Sequence, residues 1–326
     1  MKTPSRRDFI RAGAIVGTSV AISSCSDETD EPKVGSKPAG PKFEGVIDIH
    51  QHVGYHGRFD PIMISHQETM GIAKTVLLPS ASAVSRPSTH GGKSNGLAAR
   101  AHGNPACKRL ADAHPDKFVY FANEVPDLDT AQAELEKYLD AGAIGIGEQK
   151  FGVECDGPHM RKIYDIAKHY DVPVLIHFQH EKYNVGFERF HKILEAYPTV
   201  NFFGHAQTWW ANIDKNHDPV KEGIYPKGPV TAGGITDRYL ADYPNMFGDM
   251  SAGSGLNAMT RDLDHAKGFL ERHQDKLCYA SDCADKEGEG DGCSGAKQLA
   301  VVHDLVEDEA VRNKILSLNA RRVLKI

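Results

Sequence analysis

Two tryptophans, six cysteines and no long hydrophobic run are what this 326-residue chain holds least of. Its N-terminal apolar stretch, Ala12 to Ile22, is about half the roughly 20 residues that cross a bilayer. There is no block of one charge: 38 Lys and Arg are interleaved with 44 Asp and Glu, for a net charge of -6. Nothing therefore tracks a phosphate backbone, and no nucleic acid partner is expected. No internal repeat is visible. There is no Gly-x-Ser-x-Gly elbow and no catalytic Cys/His arrangement. The acidic loop between Cys283 and Cys293 lacks the Asp-x-Asp-x-Asp-Gly order of a calcium loop. The unusual abundance is histidine, at 17 residues, which directs attention to metal or proton chemistry.

The first residues read as an address. Arg6-Arg7 with Phe9, the apolar stretch and Ile22-Ser23-Ser24-Cys25 have the layout of a secretory signal over 1–25. The arginine pair looks like a twin-arginine signal, and the residues before Cys25 resemble a lipoprotein cleavage box. These predict export to the periplasm, with membrane attachment through a lipid on Cys25 or an ordinary cut near it. Residues 26–42 are polar and rich in Pro, Gly and charge, a composition that reads as a flexible tether. One folded domain is expected over 43–326.

Within it, short apolar runs alternate with amphipathic stretches. The runs are Gly45–His52, Lys74–Pro79, Phe118–Asn123, Ala143–Lys150, Val172–Phe178, Val200–His205, Met246–Ser251 and Leu277–Asp282. Helical spacing marks Asp129–Ala141, expected to open on an Asp cap, and also His159–Tyr170, Phe187–Tyr197 and Asp262–His273. Eight strand and helix alternations predict an α/β fold, the (β/α)8 TIM barrel. The doubly wound open sheet would place a Gly-rich phosphate loop after the first strand. This chain has His50-Gln51-His52-Val53-Gly54 there instead. Two long connections, Ser80–Ala106 and Gln207–Arg238, follow strand ends, where barrel enzymes carry lids and substrate walls.

Period-two alternation puts Asp48, His50 and His52 on one face of the first strand. The fifth strand closes on His177, the sixth on His205 and the eighth on Asp282. Each of these groups ends an apolar run, where an unpaired polar side chain costs several kcal/mol. A shared divalent cation removes those costs together. Imidazoles with a carboxylate suit Zn²⁺, and Mn²⁺ or Fe²⁺ also fit.

With these motifs, Gly45 to Ile326 resembles the amidohydrolase superfamily, in its amidohydrolase-related branch of metal-dependent hydrolases and decarboxylases. Gly204-His205-Ala206, Ser281-Asp282 and the closing Asn319-Ala320-Arg321-Arg322 add to the likeness. The resemblance implies that His50, His52 and His177 hold the metal. It implies that Asp282 binds the metal and takes a proton from its water. His205 would be a second-metal ligand or an acid/base group. At the fourth strand many relatives bridge two metals with a carboxylated Lys or a Glu. Here Glu148 and Lys150 share a face, so either can bridge, or the two can pair beside one metal, leaving one or two ions open. The implied reaction is hydrolysis of an ester, lactone or amide by metal-activated water. The alternative is non-oxidative decarboxylation of an aromatic or unsaturated acid. A non-catalytic binding module is disfavoured, because none of the expected ligands is missing.

Trp209 and Trp210 follow the sixth strand, as an aromatic wall over a small-molecule substrate or as pins for the loop. Arg58, Arg86 and Lys93 are candidates to hold an anionic substrate, against the alternative of surface charge. His90, His102 and His217 read as surface or lid residues. Cys283 and Cys293 bracket the loop after Asp282, either as a disulfide or as free thiols, with Cys278 as another partner. The sequence leaves a homo-oligomer open.

Overall fold

The computed structural model describes residues 45–81 and 101–326. The signal, the tether, Cys25, Arg86, His90 and Lys93 lie outside the described residues. The eight apolar runs become eight parallel strands. They are β1 (Val46–Gln51), β2 (Ile72–Leu77), β3 (Phe118–Tyr120), β4 (Ile146–Gln149), β5 (Val174–His177), β6 (Phe202–His205), β7 (Met246–Asp249) and β8 (Leu277–Cys278). They pair in chain order as β1-β2-β3 and β4-β5-β6-β7-β8.

Backbone hydrogen bonds join the two arcs at both ends. Ala122 N–H donates to Gly145 O at 2.8 Å, and Gly147 N–H to Ala122 O at 2.9 Å. On the other side Ile49 N–H donates to Tyr279 O at 3.3 Å, and Asp282 N–H to His50 O at 2.9 Å. Among the described residues the sheet is a closed TIM barrel with no free edge, as its eight β/α alternations require.

Its interior is filled by Ile47, Ile49, Val76, Leu78, Phe121, Leu175, Phe203 and Phe247, all buried. Each is worth about 1.5–3 kcal/mol of burial. A larger apolar layer lies between strands and helices. The C-terminal segment helps close the base: Asn319 Nδ2 donates to Gln274 O at 2.7 Å and to Leu277 O at 2.8 Å. No helix of the described residues is long and apolar enough to cross a membrane.

Asp262 caps the helix Leu263–Arg272 by accepting from His265 N–H. The cap expected at Asp129 is absent. That helix spans Ala131–Asp140 and starts from Thr130, which is already in helical conformation and makes no side-chain cap bond. Phe187–Tyr197 divides into a 3-10 turn, Phe187–Arg189, and a short helix, His191–Ala196.

Simple alternation fails at the two strands that matter most. Pairing of β1 with β2 is irregular between Asp48 and Gln51. Ile47 and Ile49 fill the barrel interior, so Asp48 points the other way, against Gln67 of the helix Asp60–Thr69 at 2.9 Å. The irregularity then turns His50 and His52 to the mouth. The expectation that Asp48 shares their face is corrected: an inserted bulge exchanges the faces beyond it. A second irregularity lies between Ile146 and Gln149 on β4. There Gly147 has φ 149°, and a Cβ would stand 2.8 Å from Leu175 O. A residue without a side chain lets β4 press against β5 as it presents Glu148.

Candidate metal centre

The mouth collects His50 and His52 from β1, Glu148 from β4, His177 from β5, His205 from β6, Asp249 from β7 and Asp282 just past β8. Most of these side chains are fully buried, and Asp282 retains 13% exposure. The links after β6, β7 and β8 reverse sharply: Ala206 (φ 80°), Ala252 (φ 63°) and Asp282 (φ 43°) are all left-handed. Strained backbone of this kind concentrates where a fold holds side chains for a purpose.

His52 Nδ1 lies 2.7 Å from Leu78 O, an acceptor only, so Nδ1 carries the hydrogen and Nε2 offers a lone pair. His50 Nδ1 lies 2.6 Å from Asp249 Oδ2, which orients its Nε2 in the same way. The two Nε2 atoms then face each other at 3.2 Å. Two lone pairs at that separation repel unless a cation or a proton stands between them.

Two carboxylate oxygens complete the shell. Glu148 Oε2 is 3.5 Å from His52 Nε2 and 3.7 Å from His50 Nε2. Asp282 Oδ1 is 3.5 Å and 3.8 Å from the same atoms. Ligand bonds of about 2.0–2.2 Å give tetrahedral edges of about 3.3–3.6 Å, and these five separations, from 3.2 to 3.8 Å, are close to that size. Glu148 Oε2 and Asp282 Oδ1 are also buried atoms without a hydrogen-bond partner. Such orphans are rare and costly in a folded protein. The donor set fits a divalent cation.

The electrostatics agree. Burial works against charge on His50, but Asp249 and Asp282 overcome it and hold its pKa well above the ordinary value. The pull that keeps a proton there also holds a cation. Burial would raise Glu148, yet Lys150 and the hydrogen bond from His177 keep it ionised, well below the usual range. Burial and the charge of Lys150 push His177 down to about 4, so its ring is neutral at pH 7.

His177, expected as a ligand, groups with Glu148 and His205, while His50 and His52 group with Glu148. Its Nδ1 donates to Glu148 Oε1 at 2.6 Å, while its Nε2 is 3.2 Å from Gln179 Oε1. His205 places Nε2 3.6 Å from Glu148 Oε1 and 3.9 Å from Asp282 Oδ2, with Nδ1 on Ser251 Oγ at 3.0 Å. Glu148, His177 and His205 thus form a second lobe that shares the Glu148 carboxylate. Lys150 stands over the Tyr183 ring, 5.8 Å from its centroid, and not in a pair with Glu148.

Three expected substrate contacts take other places. Trp209 and Trp210 are buried, in the helix Ala206–Ala211. Trp209 packs on Gly204, where a Cβ would meet the indole at 2.4 Å, and Trp210 Nε1 donates to Asp249 O at 2.9 Å. They pin the helix to the barrel and form no wall over the mouth, because both indoles are packed in the apolar layer between strands and helices. Arg58 is buried too, donating to Asp285 O at 2.6 Å and Gln51 Oε1 at 2.5 Å, so it grips the loop after β8 and not a substrate. The lid histidines divide. His102 covers Gly54, and His217 Nδ1 sits 3.0 Å from Glu222 Oε2. His217 lines a cavity of about 260 Å³ with His180, Phe187, Gln207 and Thr208.

Two contributors escaped the sequence reading. Asp249 ends β7 as Asp282 follows β8, and a carboxylate in a buried run was the signal available. Tyr55 lies in the 3-10 turn Tyr55–Gly57, its ring 4.9 Å from that of His52. Burial, then the charges of Asp282 and Glu148, push its phenol up, so it stays a donor.

No family model matches the chain, and no curated protein matches it. Solved structures do. A TIM-barrel protein from Bordetella bronchiseptica is 16% identical, with 81% of each chain covered and a TM-score of 0.54. A probable 2-pyrone-4,6-dicarboxylic acid hydrolase from Acinetobacter baumannii, with citric acid bound, is 14% identical. That match covers 86% of this chain and 99% of that one, with a TM-score of 0.53. A 5-carboxyvanillate decarboxylase from Novosphingobium aromaticivorans, complexed with manganese, is 15% identical, over 81% and 79%, with a TM-score of 0.50. These likenesses establish the fold.

Proposed function

We propose that this chain is a metal-dependent enzyme of the amidohydrolase superfamily, in its amidohydrolase-related branch, and that it hydrolyses an ester, lactone or amide. The observation that carries this is the four-atom shell of His50, His52, Glu148 and Asp282, with its two orphaned oxygens. A divalent cation held there, Zn²⁺ or Mn²⁺, supplies the charge that polarises a carbonyl and acidifies water. The shell would hold one ion, and Glu148, His177 and His205 are the residues that would hold a second, once the Nδ1 proton of His177 is released.

The protein's own groups divide the remaining work. Asp282, partly open to the mouth, accepts the proton of the attacking water. His205 Nε2 stands 3.9 Å from Asp282 Oδ2 and delivers a proton to the leaving group. Tyr55, kept protonated, donates a hydrogen bond where negative charge develops.

A non-oxidative decarboxylase on this scaffold is the second reading, favoured by the manganese-bound decarboxylase among the neighbours. There Asp282 or His205 would protonate carbon as CO₂ leaves. Metal analysis of the purified chain, followed by a panel of lactones, amides and aromatic acids, tests both. Proton release with a new carboxylate supports hydrolysis, and CO₂ assigns the decarboxylase. Equal metal content in the wild type and His50→Ala overturns the metal assignment.

For localisation we infer a signal over 1–25, a tether over 26–42 and a periplasmic enzyme with a lipid on Cys25. A mass shift equal to the acyl group, lost in Cys25→Ser, is the expected result.

A further inference from the structure

A second cluster of metal-ligating side chains lies behind the loop that carries Asp282. The helix Asp60–Thr69 and its C-cap present His66 and Met70, four residues apart and so on one face. The loop after β8 returns Cys283 and Cys293 against them. All four residues are buried. Cys283 Sγ and Cys293 Sγ are 3.6 Å apart, His66 Nε2 is 3.4 Å from Cys293 Sγ, and Met70 Sδ is 3.7 Å from it. A disulfide needs about 2.05 Å. Tetrahedral edges built on bonds of about 2.3 Å to sulfur and 2.0 Å to nitrogen are about 3.5–3.8 Å. The observed spacings are of that size.

Two further contacts favour thiolates. Cys293 is the N-cap of the helix Ser294–Leu305, and its sulfur accepts from Ala296 N–H at 3.3 Å, a setting that stabilises negative sulfur. Arg58 is buried with neutral acceptors, Gln51 Oε1 and Asp285 O, on its terminal nitrogens, and its Nε has no partner. A cation so placed calls for a nearby anion. Gln51, which accepts from Arg58, also donates through Nε2 to Cys283 O at 3.0 Å, so the guanidinium lies beside the segment that carries Cys283.

We propose that His66, Cys283 and Cys293, with Met70 as a weaker fourth donor, form a structural site for a thiophilic d10 cation that clips the loop behind Asp282. Binding releases the two thiol protons. The soft donors and the charge count favour copper(I): two thiolates and one monovalent ion leave a single negative charge, which offsets Arg58. Zinc(II) uses the same ligands without that residual charge. The site is independent of the proposed reaction.

The test uses the full chain, stripped of metal and reduced. It is titrated anaerobically with copper(I), and separately with cobalt(II) as the spectroscopic stand-in for zinc. Thiolate-to-metal absorption saturating at one equivalent is expected in the wild type and in His50→Ala. Its loss is expected in Cys293→Ser and in His66→Gln, the second variant guarding against misfolding of the first. No thiolate absorption in the reduced wild type overturns the site. So does a Cys283–Cys293 disulfide found by mass spectrometry in protein purified without reductant.

Discussion

Exchanging the roles of Glu148 and His177 is the most direct challenge to the proposed shell. Glu148 Oε2 faces His52 and His50 at 3.5 and 3.7 Å, while Oε1 accepts from His177 at 2.6 Å. His177→Ala therefore removes an orienting hydrogen bond and leaves all four shell atoms in place. Loss of such an outer partner weakens metal binding by about 10–100-fold, or about 1.4–2.8 kcal/mol at 1.4 kcal/mol per tenfold. That agrees with the roughly 1.5–3 kcal/mol of a hydrogen bond to a charged group. Glu148→Gln keeps the shape but removes a negative ligand, so the loss should exceed about 100-fold. The two variants are compared with the wild type by competition for zinc against a chromophoric chelator. If His177→Ala loses more affinity than Glu148→Gln, the cation closes on His177 and the shell described here is wrong.

Other substitutions probe the supports. Asp249→Asn takes the carboxylate from His50 Nδ1, 2.6 Å away, and should lower metal affinity by about 10–100-fold in the same competition. Trp209→Ala should cost about 3–5 kcal/mol in urea unfolding, as a core residue, while a substrate-wall residue would leave stability nearly unchanged. Asp237 accepts from His273 Nε2 at 2.5 Å and from Gly233 N–H. Burial raises its carboxyl, but His273 and Arg272 bring it down to about 2. A depressed carboxylate adds stability above its unfolded pKa of about 3.9 and loses it as pH falls through the folded value. The wild type should therefore lose up to about 2 kcal/mol relative to Asp237→Asn between about pH 4 and pH 2, read from paired denaturant titrations.

What the sequence by itself determined is the ring of strands and the residues that end them. Apolar runs broken by Pro and by amphipathic stretches are a local property of the chain, and each of the eight became a strand at its place. His50, His52, His177, His205 and Asp282 were legible because a polar group closing a buried run needs a partner. The order within the site was not legible. The bulge in β1 turns Asp48 away from the face it would share by alternation, and the irregular pairing at Gly147 brings Glu148 in front of His177. The burial of Trp209 depends on the left-handed turn at Ala206 that folds it back on Gly204, and on the Phe178 and Phe187 rings that pack against it. Such features arise where one strand packs against another, so they depend on pairs of residues distant in the chain. Periodicity fixes which side chains alternate, but only the closed barrel decides which atoms meet.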